Sequence, residues 1–103
     1  MLDSRARCIE INNDGGICRT FMAQTRNISR SGMCLLTPGM VHLGRWVVAF
    51  VALRGNGEKA LVGLVCQTRY EPSIGFLAGM EFKEPCFPGA YRTIRALTGQ
   101  SPG

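Results

Sequence analysis

The sequence predicts a mainly β domain, an antiparallel barrel or sandwich of about six strands with one short C-terminal helix. Three observations predict it. The apolar runs are strand-sized, the longest being Trp46–Leu53. Turn-forming residues separate them, with 13 glycines and 5 prolines in 103 residues, so short strands with hairpin connections are expected. Beyond Pro85 the apolar spacing changes to a helical period,.

Residues 6–11 read Ala-Arg-Cys-Ile-Glu-Ile and predict a first strand. Asn12-Asn13-Asp14-Gly15-Gly16 is a dense turn signal that favours a hairpin,. Residues 17–25 form the returning strand. After a polar stretch, residues 33–37 make a short apolar strand, stopped by Pro38-Gly39. Residues 45–53 are rich in valine and aromatics and read as a largely buried strand,. Residues 54–58, Arg-Gly-Asn-Gly-Glu, predict a second hairpin turn,. Residues 59–70 form a long strand, with Gly63 as a bulge or bend,. Residues 74–82 form the last strand. Phe87, Tyr91, Ile94 and Leu97 recur at helical spacing, with Pro88 suited to a first turn and Gly99 to a stop,.

The length fits a single domain, residues 1–103, with residues 1–4 and 100–103 expected as mobile tails,. A hydrophobic content of 46% predicts a packed core rather than disorder,. No apolar run approaches the roughly 18 residues that a membrane-spanning helix needs. The first residues lack the apolar core of a signal peptide, so a cytoplasmic location is the default expectation,. Five cysteines at wide spacing, with no CxxC pair, argue against a zinc site or a disulfide framework,. Most of them read as small buried apolar residues. The net charge is +5, and ten of the twelve basic residues are arginine. That bias suits phosphate or guanine recognition, although a GC-rich genome gives the same bias.

The chemistry concentrates in Arg26-Asn27-Ile28-Ser29-Arg30-Ser31-Gly32-Met33, between two apolar runs. Amides and hydroxyls hydrogen-bond planar polar ligands, and arginine matches two phosphate oxygens at once. The plainer reading is a turn between two strands. His42 has no acidic or cysteine neighbour that would make a triad or a metal site, and reads as structural or exposed,. Arg26 and Arg30 read as exposed turn charges, and Trp46 and Phe50 as core. No nucleophile stands with a base, no carboxylate pair suggests acid–base work, and no Gly-rich loop precedes a helix. An enzyme is therefore the weakest class, and no catalytic residue, metal or cofactor is expected.

The pattern resembles the PilZ domain family. Asn27-Ile28-Ser29-Arg30-Ser31-Gly32 matches the family motif of Asp or Asn, any residue, Ser, two residues and Gly. Met33-Cys34-Leu35-Leu36 looks like the strand that follows the motif. Leu43-Gly44-Arg45-Trp46-Val47 looks like the family's glycine before a hydrophobic strand. Gly63–Arg69, residues 63–69, and Gly79-Met80-Glu81-Phe82 resemble its late strands. The resemblance implies a six-stranded antiparallel β-barrel that binds the bacterial second messenger cyclic di-GMP. It implies that Asn27 and Ser29 contact a guanine and that Gly32 completes the motif. Family members also carry RxxxR ahead of the first strand, whose arginines clamp phosphates and stack on guanine. This chain has Arg5-Ala6-Arg7 instead. Arg7 aligns with the second family arginine, and Arg5 replaces the first if the leader bends. The ligand set implied is Arg5, Arg7, Asn27, Ser29 and Gly32, with Arg7 outweighing Arg5. A downstream protein partner is expected, and no DNA or RNA. The alternative is a PilZ-like module that binds only protein, because the arginine motif is degenerate. A small basic barrel for single-stranded nucleic acid is a third reading, but the aromatics fall mostly inside apolar runs.

Overall fold

Side-chain alternation along the strands dictates the architecture. In the computed structural model, which describes residues 5–53 and 57–99, six strands are followed by one helix: β1 (Arg5–Ile11), β2 (Ile17–Ile28), β3 (Gly32–Thr37), β4 (Trp46–Leu53), β5 (Gly57–Glu71), β6 (Gly75–Phe82) and α1 (Pro88–Thr98). The expected mobile tails and most of the second hairpin turn lie outside the described residues. The strands close into an antiparallel barrel in the order β1-β2-β3-β6-β5-β4. Strand β1 completes the ring by pairing with both β2 and β4.

Every second residue of β1, from Ala6 to Cys8, turns into the barrel, where small side chains leave room for larger ones from the other strands. Met33, Leu35, Val47, Val51, Val65 and Met80 fill that space, and Val41 from the β3–β4 connection joins them. Ile9 and Ile11 face outward instead. Together with Trp46 and Val48 they bury under Ala90 and Ile94 of α1. Each such apolar side chain contributes roughly 1.5–3 kcal/mol on burial. The helix thus covers the outer face of β1, β4 and β5. The outer face of β2, β3, β6 and the far half of β5 carries no such lid. Pro88 starts the helix and Gly99 ends it in the left-handed region at φ 67°,.

The β1–β2 hairpin is tied to the rest of the molecule. Asn12 Oδ1 accepts from the amides of Asp14 and Gly16 at 3.0 and 2.9 Å. Trp46 Nε1 donates to Asn13 Oδ1 at 2.8 Å, and Thr93 Oγ1 of the helix donates to the Gly15 carbonyl at 2.7 Å. One end of the barrel holds a buried ion cluster. The Glu10 carboxylate, 1% exposed, accepts from Arg19 Nε at 2.8 Å and from Arg45 Nη1 at 2.9 Å. Arg19 also donates to the Met40 carbonyl, which fastens the β3–β4 connection over this end.

Four local expectations need correction. Gly63 makes no bulge: its rungs to Val47 and Phe82 are regular, and the extra residue of β5 is Cys66. Gly63 is required instead by close approach, since a Cβ there would stand 2.7 Å from the Glu81 carbonyl oxygen. Among the cysteines only Cys8 is buried; Cys34 is half-buried and Cys18, Cys66 and Cys86 are exposed. Strand positions that face outward or bulge override the apolar preference of the thiol at Cys18, Cys34 and Cys66, and Cys86 lies in the β6–α1 connection. The buried face of α1 is Ala90 and Ile94, whereas Phe87 and Tyr91 stay 43% and 37% exposed. Phe87 precedes the first turn as the N-cap, so it never joins the helical stripe. Finally, Arg5 and Arg7 do not form a leader ahead of the barrel. Both lie in β1, paired with Gln24 and Met22 of β2. Trp46 is core, as expected, and Phe50 is half-buried against the outer cluster.

Candidate functional site

The uncovered face of the barrel is built by two bulges. Thr25 pairs with Leu35 and Asn27 with Cys34, so Arg26 is one residue too many on β2. Val65 pairs with Met80 and Gln67 with Gly79, so Cys66 is one too many on β5. Between them, Cys34 pairs with Gly79. Regular alternation from the buried Thr25 and Val65 would send Asn27 and Gln67 into the barrel. Each bulge resets the alternation and turns its residue outward. The result is a row across four strands, Asn27, Cys34, Gly79 and Gln67, on one outer face. These residues line a shallow concavity of about 250 Å³ with Ser29, Gly32 and Cys66. The neighbouring outward row is Arg5, Gln24, Leu36, Leu77 and Arg69. Arg5, Gln24 and Leu36 line a second concavity of about 440 Å³ with Met22 and Ile74.

The motif itself spans less turn than its composition predicts. Strand β2 continues through Ile28, which pairs with Met33, so only Ser29–Ser31, residues 29–31, form the connection. The Ser29 amide donates to the Gly32 carbonyl at 2.8 Å and closes the hairpin. Ser29 Oγ sits 3.3 Å from that carbonyl and 3.4 Å from the Ser31 amide, both long bonds. The hydroxyl is exposed and its local bonds are weak, which leaves it able to meet a ligand. The Ser31 carbonyl accepts from the Phe82 amide at 2.8 Å and pins the turn to β6. Gly32 has a structural reason to be glycine. A Cβ there would fall well inside 3.0 Å of the Met80 carbonyl oxygen, where β3 and β6 meet. Arg26 and Arg30 are exposed, in the bulge and in the turn.

The structure therefore brings Asn27, Ser29 and Gly32 together and sets Arg5 one row away. It does not bring Arg7 to them. The Arg7 guanidinium lies 4.3 Å from the centroid of the Phe50 ring and 3.8 Å from the Glu58 carboxylate, on the β4 side of β1. Arg69 pairs with Glu71 at 3.2 Å at the opposite end of the row from Arg5. Sequence reading missed Gln67, Gly79 and Cys34 as neighbours of the motif. Among the described residues no group of three His, Cys, Asp or Glu side chains could hold a metal ion. What the face offers is carboxamides, a hydroxyl, thiols and flanking guanidinium groups around an open floor. Such a set is suited to hydrogen-bonding a polar ligand, and among the described residues of this face no base is held beside a nucleophile.

Comparison with known families matches the PilZ domain over residues 5–100. The chain belongs to the PilZ domain family. The match covers nearly the whole chain and includes all seven elements of the fold. None of the curated proteins compared with the chain matches it. PilZ domains are binding and adaptor modules, known for cyclic di-GMP signalling. In this PilZ domain the family motif ends β2, begins β3 and faces the uncovered side of the barrel. No helix among the described residues is long and apolar enough to cross a membrane.

Proposed function

We propose that this PilZ domain is a cyclic di-GMP receptor or adaptor in bacterial second-messenger signalling, working in the cytoplasm and passing the signal to a protein partner. The observation that carries the reading is Asn27, turned outward by the Arg26 bulge onto an open polar row beside Ser29. The proposed contacts are Asn27 and Ser29 to a guanine edge and Arg5 to a phosphate. Gly32 serves by letting β3 and β6 close behind the motif. Arg5 belongs to a paired strand, so binding orders only its side chain, at a cost of about 0.5–1.5 kcal/mol. A charge-assisted contact to phosphate returns roughly 1.5–3 kcal/mol. Arg7 contributes less, because it would have to leave Phe50 and Glu58.

Calorimetric titration with cyclic di-GMP, with GTP as control, tests the proposal. Saturable binding that weakens with added salt is expected, since exposed charge contacts are screened. A null titration at low salt overturns it. That outcome favours a module that binds only protein, the reading supported by the lack of an RxxxR ahead of the first strand and by the engagement of Arg7 elsewhere.

A further inference from the structure

Gly32 and Gly79 line the uncovered face; Gly32, like Gly63 in the covered half of β5, is demanded by the fold. Gly32 and Gly63 sit where a Cβ would collide with the carbonyl oxygens of Met80 and Glu81. Gly79 is different. A Cβ there would meet only Gln67, at 3.5 Å from its Cβ and 3.6 Å from its Oε1, which are ordinary van der Waals distances. Its φ is not positive. A glycine inside a strand weakens that strand, and nothing in the packing of β6 asks for one here. The missing side chain leaves an open floor at the centre of the row.

The two bulges then have a joint effect. Both bracket the Cys34–Gly79 rung, and each turns a carboxamide outward at the same level. Asn27 and Gln67 stand at the two ends of the row, about 14 Å apart by three inter-strand spacings. The Gln67 amide overhangs the floor, since its Oε1 lies near the place that a Gly79 side chain would take. A carboxamide offers donor and acceptor side by side, which matches the adjacent donors and acceptors on a guanine edge.

We infer that Gln67 and Gly79 complete a base-reading platform: one guanine of the ligand stacks over the Cys34–Gly79 rung, between Asn27 and Gln67, which read opposite edges. The inference rests on the cyclic di-GMP reading above and adds to it the residues that give base specificity. The test is titration of the intact chain, Gly79→Val, Gly79→Ala and Gln67→Leu with cyclic di-GMP and cyclic di-AMP, alongside thermal melts. Gly79→Val fills the floor with a good strand former, so its melting temperature should hold or rise while affinity falls roughly tenfold or more. Gln67→Leu keeps the length and removes the amide; affinity should fall about five- to tenfold, with the preference for cyclic di-GMP over cyclic di-AMP reduced. If the intact chain binds and Gly79→Val and Gln67→Leu bind within about twofold of it, the platform is wrong and the receptor reading stands. If the intact chain does not bind, the receptor reading falls and the platform with it. Should Gly79→Val fail to fold, Gly79→Ala and Gln67→Leu decide by the same thresholds.

Discussion

Replacing Glu10 by Gln keeps the side chain's size and removes its charge, so the cost is electrostatic rather than a cavity. Glu10 is 1% exposed and accepts from Arg19 and Arg45 through its two separate oxygens. A glutamine can keep one acceptor. The other position becomes an NH2 that faces a guanidinium N–H, two donors with nothing between them. Losing one charge-assisted bond costs roughly 1.5–3 kcal/mol, and reducing the other to a neutral bond costs about 1 kcal/mol more. The arginine side chains are 40% and 33% exposed, so water takes over part of the loss. The net expectation is about 2–3 kcal/mol. At about 4 °C per kcal/mol for a domain of this size, the melting temperature should fall by about 8–12 °C. Thermal and urea melts measure it. A double-mutant cycle with Arg45→Met should show a coupling of at least about 1 kcal/mol. A shift under about 2 °C with no coupling would refute the reasoning and class the cluster with surface pairs, worth about 0–1 kcal/mol.

Gly32→Ala should destabilise the barrel by about 1–3 kcal/mol, because the added methyl must push β3 from β6; a urea melt unchanged from the parent would show that the strands yield freely. For ligand affinity, Arg5→Ala should weaken cyclic di-GMP binding about tenfold or more and Arg7→Ala by less, reversing the order that alignment to the family arginines implies; calorimetry with equal losses would count against the assignment of Arg7 to Phe50 and Glu58. Burial pushes the Cys8 thiol up to about 12. The folded state therefore holds a proton that the unfolded chain gives up above about pH 9, so Cys8 makes stability fall from there toward pH 12, at about 1.4 kcal/mol per pH unit. Cys8→Ala should flatten that part of the profile in urea melts, and an identical slope would remove Cys8 as its cause. Bound cyclic di-GMP should slow alkylation of Cys34 and Cys66 but not of Cys86, as read by mass spectrometry of iodoacetamide-treated protein; equal rates would place the ligand elsewhere.

Much of the barrel was legible because its signals are local. Strand-sized apolar runs mark the strands, Asn12–Gly16, residues 12–16, carries its own turn chemistry, and the family motif is contiguous. The bulges were not legible, because Thr25-Arg26-Asn27 and Val65-Cys66-Gln67 look like ordinary alternation. Only the partner strands reveal that one residue in each has no opposite number. Gln67 and Gly79 became neighbours of Asn27 through the Cys34–Gly79 rung, which joins positions 45 residues apart. Arg5 read as a leader to the strand that holds Arg7, because charge near a chain start suits solvent equally well. Their place in β1 follows from pairing with strands on both sides. The helical spacing gave Ile94 correctly, but the aromatics Phe87 and Tyr91 hid the other buried residue of the helix, the small Ala90.

Closure of the barrel also limits how this domain can be approached by another protein. In an open sheet the outermost strand is a template, its amides and carbonyls ready to accept a strand from a second chain. Here β1 and β4 satisfy one another, so among the described residues the seam that closes the ring offers no such template. At that seam recognition runs through side chains rather than through backbone zippering. The same closure guards the domain against edge-to-edge aggregation when the polar face is empty. A variant that unzips β1 from β4 would lose both protections at once.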